Sequence, residues 1–376
     1  MAKTGIMVCG HGSRSKAAET EFSGLSRRLK ERYPQTPVEY GFLEYSAPNI
    51  HMGLDALVES GVDEIVAVPG MLFAATHAKN DIPSVLTTFQ QRHPHITMRY
   101  GRELGLHPQM IAAFEARILQ ALGRDHVHDG DLYDTMLVVV GRGTSDTLAN
   151  AEAARLTRIV TENLGFGWSE TVYSGVTFPS VGRGLELALK LGYRKIVVAP
   201  YFLFTGRLID RIYGYVDRIA ETAPEVQIVK AHYLSDQDHV IDTFVARIEE
   251  AQSDAVAGAH DLMTSFKDRL ARGEVSVHHH HAEYRDPLDD DHPDAGHDHD
   301  HDHDHDLDHG HFHDHDHSGS ASNAWATGYG SGGGGDVGFR YTTLARNIGT
   351  VTAVQINEVE NNSLPSFAQL LPLGTG

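Results

Sequence analysis

The chain has 376 residues, a single cysteine and a formal net charge of −20. That length predicts two to three domains around a large core, and the lone Cys9 excludes an internal disulfide and a cysteine-ligated iron–sulfur cluster. The charge is local: His278–His317 holds 14 Asp or Glu against one Arg, so the other 336 residues carry only −7 and give no support to nucleic-acid binding.

No run of about 18 apolar residues occurs, so no spanning helix and no membrane partner are expected. The opening Met1-Ala2-Lys3-Thr4-Gly5 runs straight into an apolar strand and lacks a signal-peptide layout, which points to a cytoplasmic enzyme. In chain order, strands are predicted over Gly5–Cys9, Val38–Leu43, Glu64–Val68 and Thr97–Tyr100. Helices are predicted over Lys16–Tyr33, Ile50–Ser60, Ile82–Arg92 and Pro108–Leu122, the last carrying Met110, Ile111, Phe114, Ile118 and Leu119 on one face. After a linker at Arg124–Gly130 the pattern restarts. Strands are predicted over Met136–Val140, Thr171–Val176, Ile196–Ala199 and Val226–Lys230, with helices over Asn150–Leu164, Gly184–Leu191, Leu208–Thr222 and Asp238–Ala251.

Short apolar strands alternating with such helices give an α/β fold: two similar lobes, residues 1–123 and 131–252, each a parallel four-stranded sheet flanked by helices. A further helix is expected within 253–277, on Val256, Leu262, Phe266 and Leu270. From His278 to His317 there are 15 histidines among 40 residues, a stretch too polar to fold alone. A Gly/Ser-rich linker follows over Ser318–Gly335, and in the tail Val337–Gly376 a short strand is predicted at Thr350–Ile356.

The halves repeat. Gly61-Val62-Asp63-Glu64-Ile65-Val66-Ala67-Val68-Pro69 returns 131 residues later as Gly192-Tyr193-Arg194-Lys195-Ile196-Val197-Val198-Ala199-Pro200, and Gly10-His11-Gly12-Ser13 returns as Gly141-Arg142-Gly143-Thr144. Once one residue drops out, His77 likewise becomes Arg207. Ligands of parallel sheets bind beyond the carboxyl ends of the strands, where His11 and His77 both lie.

Taken singly, the Gly-His-Gly-Ser turn fits a metal ligand or base, a phosphate-cradling turn or a helix cap, with glycines that let substrate approach the backbone. Taken together, two histidines exchanged jointly for arginines point to function, because packing histidines have no reason to change in concert. Glu44, after the second strand, is either a third ligand for a borderline-soft divalent ion or a solvated loop acid. Arg142 and Arg207, with Arg14 and Arg211 nearby, either fork onto the carboxylates of a polyacidic substrate or are loose surface groups. The His/Asp tract has the chemistry to store or deliver divalent metal; an affinity tag is the alternative for His278–His281.

Gly10-His11-Gly12-Ser13-Arg14, the Phe42-Leu43-Glu44 turn and the Val68-Pro69, Leu72-Phe73, His77 and Asp81-Ile82-Pro83 segment resemble the sirohydrochlorin cobaltochelatase family, class II chelatases related to ferrochelatases. The resemblance covers residues 4–250 and matches the long, fused form; short forms are single halves that pair as homodimers. It implies a class II chelatase fold, a tetrapyrrole in the cleft between the lobes, a lyase-type insertion without ATP, and a place in cobalamin biosynthesis beside neighbouring enzymes of that pathway. Histidine-rich stretches occur in the family, as does a C-terminal iron–sulfur motif that this chain lacks the cysteines to build, so no prosthetic group is expected. On this reading His11 and His77 hold the incoming Co²⁺, with Glu44 as third ligand or proton acceptor. Ser13, Arg14, Arg142 and Arg207 seat the sirohydrochlorin side chains. Iron or nickel insertion and a non-catalytic metal store are the alternatives; a dinucleotide-binding enzyme is disfavoured because no Gly-x-Gly-x-x-Gly fingerprint is present.

Overall fold

Thr4–Gly10 (β1) is apolar from Ile6 to Cys9, and all four of those side chains are fully buried, as a strand covered by helices on both faces requires. The computed structural model describes residues 3–253 and 261–277. Val256, the His/Asp tract, the Gly/Ser linker and the strand expected at Thr350–Ile356 lie outside the described residues.

The first lobe continues through Lys16–Arg32 (α1), Val38–Phe42 (β2), Ile50–Glu59 (α2), Glu64–Pro69 (β3), Ile82–Arg92 (α3), Thr97–Tyr100 (β4) and Pro108–Leu122 (α4). The second runs Thr135–Gly141 (β5), Thr147–Leu164 (α5), Trp168–Tyr173 (β6), Val181–Leu189 (α6), Lys195–Pro200 (β7), Arg207–Thr222 (α7), Gln227–Lys230 (β8) and Asp238–Gln252 (α8). A last helix, Leu262–Ala271 (α9), follows. Each sheet is four-stranded and parallel, ordered β2-β1-β3-β4 and β6-β5-β7-β8. The repeat holds residue by residue: Gly10 pairs with Phe42, and Gly141 with Tyr173. No helix among the described residues is long and apolar enough to cross a membrane.

One strand lies earlier than its sequence suggests. β6 ends at Tyr173 rather than Val176: Ser174 N–H to the Gly141 carbonyl at 3.0 Å is the last ladder bond, and the Tyr173 N–H donates to the Pro179 carbonyl at 2.9 Å as the chain folds back over 174–179. Val176 is apolar for another reason, since it is exposed at the sheet edge.

The last helix of each half packs on the other half. α4 lies against β7 and β8, while α8 lies against α1, β3 and β4. Phe114 of α4 and Phe244 of α8 are fully buried in one core that contains Val66 and Val68 of β3 with Val197 and Ala199 of β7. Truncating either phenylalanine would cost about 3–5 kcal/mol. Both ends of α4 are sharply delimited. The His107 side chain accepts the Gln109 N–H at its start, and Gly123 closes it in the left-handed conformation at φ 66°. Polar ties reinforce the joint. Glu21 of α1 accepts the Tyr233 hydroxyl at 2.5 Å and the Thr205 N–H at 2.8 Å, and Arg32 reaches Asp242 at 2.5 Å.

Candidate active site

His11 directly follows β1, and Gly12 follows it at φ +100°. A Cβ on Gly12 would stand 1.7 Å from the Glu44 carbonyl oxygen, so only glycine fits. The space above Gly12 is therefore taken by the chain's own β2–α2 turn, not by a substrate as the sequence suggests. Glu44 N–H in turn donates to the His11 carbonyl at 3.0 Å, and Ser46 grips Ser13 through Ser13 N–H to Ser46 Oγ at 3.0 Å and Ser46 Oγ to Ser13 O at 2.9 Å. The glycine turn is thus a backbone clamp that fixes where the His11 ring projects.

His77 sits at the carboxyl end of β3 by a different device. From Pro69 to Thr97 the chain takes one residue more than from Pro200 to Gln227. That residue, the one that drops out of the repeat, is absorbed in a π-helical turn over His77–Asp81, in which Ile82 N–H reaches back to the His77 carbonyl. The turn brings His77 Nδ1 within 2.7 Å of the buried Asp81 carboxylate.

The two imidazoles meet. His11 Nε2 and His77 Nε2 are 2.9 Å apart, with the rings edge to face at 87° and centroids 4.3 Å apart. His11 Nδ1 faces the Gly12 carbonyl at 3.2 Å. Both Nδ1 atoms therefore face oxygen acceptors, and in the tautomer that places their protons there both Nε2 atoms offer lone pairs. Burial, then the neighbouring His77 and Arg142, depress the His11 pKa to about 3 against smaller upward effects of Gly12 and Asp81. His11 is a neutral donor at any physiological pH.

Glu44 meets His11 through the backbone, and among the described residues no three His, Cys, Asp or Glu side chains form a group able to hold a metal. The structure thus joins two of the three expected ligands. Ser13 Oγ accepts the Ser15 N–H at 3.0 Å, and exposed Arg14 lies over the Tyr45 ring at 4.8 Å. Arg142, exposed in the β5–α5 turn of the other lobe, is near enough for its charge to act on His11. Arg207 is exposed as the first residue of α7.

Sequence reasoning missed three features. Asp81 reads as a helix start, yet it orients His77; its signal is the His-x-x-x-Asp spacing, one helical turn. Lys79 and Asp146 form an ion pair that ties the π turn to the N-cap of α5 across the lobes. Burial pulls Asp146 upward, but the bonds from Lys79 and the Ala149 and Leu148 N–H groups outweigh it and hold the carboxyl below its usual range. Finally, Leu148, Val176 and Phe178 expose large apolar side chains at the carboxyl edge of the second sheet, beside Arg142.

Two lobes of parallel sheet, with an imidazole pair at the carboxyl edge of one and cationic and apolar groups at that of the other, define a bilobal α/β protein. The CbiX family model matches residues 5–121 and 136–251. A sirohydrochlorin cobaltochelatase of Priestia megaterium is 34% identical over 65% of this chain and 79% of its own, and a sirohydrochlorin ferrochelatase of the same organism is 30% identical over 62% and 84%. The crystal structure of the sirohydrochlorin chelatase from Bacillus subtilis subspecies spizizenii in complex with cobalt matches with a TM-score of 0.57 at 26% identity, covering 69% of this chain and 99% of that one. The chain belongs to the CbiX family, and its fold is the two-lobed chelatase fold.

Proposed function

We propose that the protein is a sirohydrochlorin chelatase that inserts a divalent metal, Co²⁺ in its physiological use, without ATP. One observation carries the reading: two imidazole Nε2 atoms 2.9 Å apart, each with its Nδ1 turned to an oxygen. At that spacing the pair shares a proton as an N–H···N hydrogen bond when no metal is bound, and offers two lone pairs to a divalent ion that displaces the proton. With metal–nitrogen bonds of about 2.1 Å, that spacing corresponds to an N–metal–N angle near 90°, which leaves other positions for water and pyrrole nitrogens.

Insertion requires the ion to shed water and the ring to lose two N–H protons, so the charge carried in by M²⁺ is balanced by the two protons released. His11, held neutral, serves as a ligand. His77 holds the ion through Nε2 and, once the ion has passed to the ring and freed that lone pair, accepts a pyrrole proton there, with the Asp81 carboxylate on Nδ1 stabilising the imidazolium formed. Glu44 is the second proton acceptor or a ligand recruited when the ion arrives. Arg142 and Arg207, with Ser13 and Arg14, seat the acetate and propionate groups, and Phe178, Val176 and Leu148 carry the macrocycle's apolar face. Fixing ring and ion on opposite lobes supplies proximity and orientation.

Cobalt is preferred because the relative with higher identity is a cobaltochelatase and the nitrogen pair suits a borderline-soft ion. The test offers sirohydrochlorin anaerobically with Co²⁺, Fe²⁺ or Ni²⁺ and follows the absorbance change. Fastest turnover is expected with Co²⁺, and none in His11→Ala or His77→Ala; turnover faster with Fe²⁺ reassigns the metal, and wild-type rates in either variant remove that histidine from the mechanism.

A further inference from the structure

The π turn that presents His77 leaves two backbone carbonyls without the i+4 donor of an α-helix. Ile82 N–H, which would serve Ala78, is drawn to His77. The residue that would serve Lys79 is Pro83, which has no N–H. Backbone carbonyls withdrawn from water need partners, and both receive one from outside the turn. The Tyr100 hydroxyl donates to the Ala78 carbonyl at 3.0 Å. Arg269 of α9 donates through Nη2 to the Lys79 carbonyl at 2.7 Å, while its Nη1 donates to Asn80 Oδ1 at 2.7 Å.

α9 lies outside both segments that match the family. Leu262, Phe266 and Arg269 occupy one face of the helix, at spacings of four and three residues. Phe266 is fully buried, and Leu262 joins the core that holds Ala78, Ile82 and Val85. The two apolar side chains dock the helix, and the planar guanidinium forks onto two acceptors of one turn, a geometry that suits arginine better than lysine. The second lobe, one residue shorter over the same stretch, has an ordinary α-helical turn there.

We infer that α9 is a brace for the active site and that Arg269 is a positioning residue, holding the π turn so that His77 keeps its direction toward His11 and Asp81 its bond to His77. The inference rests on the chelatase function proposed above. Groups that orient a metal-binding histidine change affinity or activity by about 10–100-fold. Arg269 acts one link further out, so a loss of about fivefold to tenfold is expected.

The experiment uses the full chain. Arg269→Ala is expected to raise the Kd of the Co²⁺ site that His11→Ala removes, read by calorimetry as the component absent from His11→Ala so that binding by the His/Asp tract is subtracted, and to lower kcat/KM for Co²⁺ by that factor. The KM for sirohydrochlorin should stay unchanged. Arg269→Lys should recover part of the loss, and millimolar guanidinium ion should rescue Arg269→Ala. Arg272→Ala, which removes only a surface pairing with Glu274, should match wild type. Wild-type Co²⁺ affinity in Arg269→Ala overturns the brace, as does an equal loss of affinity for metal and tetrapyrrole. Should Arg269→Ala fail to fold, the partial loss in Arg269→Lys carries the test. A wild-type protein that binds Co²⁺ yet inserts none refutes the chelatase function alone, because the Kd comparison still reads the brace.

Discussion

Replacing Asp81 by asparagine removes a charge and almost no volume, so its effect isolates what the carboxylate charge contributes. In the native site Asp81 is buried and accepts the His77 Nδ1 proton at 2.7 Å, which leaves the Nε2 lone pair pointing at His11 2.9 Å away. An asparagine can turn its amide nitrogen toward Nδ1; His77 must then carry its proton on Nε2, where it blocks the metal. If the amide oxygen faces Nδ1 instead, the tautomer survives but the charge assistance is lost. A hydrogen bond to a charged group is worth about 1.5–3 kcal/mol, equivalent to roughly 10–150-fold in an equilibrium or rate constant. The same range follows from measured effects of removing the partner of a metal-bound histidine, about 10–100-fold. Asp81→Asn should therefore lower kcat/KM for Co²⁺ by about 10–100-fold in the sirohydrochlorin assay and leave the KM for sirohydrochlorin unchanged. A value within twofold of wild type would show that His77 needs no orienting partner.

His11 makes folding pH-dependent, with stability lost toward acid. The unfolded chain protonates a histidine near pH 6.5, whereas the folded ring takes up its proton only near pH 3, mainly because of burial. Its stabilising contribution is complete above pH 6.5 and declines as the pH falls toward 3. The melting temperature of metal-free wild type should thus fall more steeply over that window than that of His11→Asn; parallel curves would contradict the assignment. Gly12→Ala places a Cβ on the Glu44 carbonyl at φ +100° and should cost at least about 3 kcal/mol in urea denaturation. Gly61→Ala, at φ +73° with open space around it, should cost only about 1 kcal/mol; equal losses would remove the clamp from the account. Phe178→Ala should raise the KM for sirohydrochlorin by about tenfold with little change in kcat, the scale of one aromatic ring leaving an apolar contact, and an unchanged KM would move the tetrapyrrole elsewhere.

Much of this architecture is legible in the residues themselves. Every predicted strand and helix of the two lobes is present, since each rests on a run of apolar side chains with a definite period. The histidine pair is legible too, because the duplicate supplies an internal control: residues kept in one copy and exchanged together in the other. What could not be read depends on distant partners. Helical periodicity in Pro108–Leu122 and Asp238–Gln252 shows which face is buried, not which sheet covers it, so the exchange of α4 and α8 is invisible in one dimension. The gap in the repeat beside His77 marked the π turn, but a missing residue does not say how the longer copy accommodates it. Glu44 looked equivalent in kind to the histidines because it too follows a strand, yet its backbone, rather than its carboxylate, is what the fold uses to hold His11. From His77 onward the two halves run 130 residues apart, so Arg211 takes the place of Asp81. The second lobe thus exchanged the orienting acid together with the histidine it orients.

The traded helices α4 and α8 bear on how the molecule can be taken apart. A nick between residues 124 and 130 severs the covalent connection but leaves each fragment holding part of the other's interior. The two pieces should travel as one particle through gel filtration. Either half expressed alone carries an apolar helix with no sheet of its own to lie on, so it is stable only when a second copy returns the favour. Fusion of two halves, seen this way, joined by covalent bond what was already interlocked.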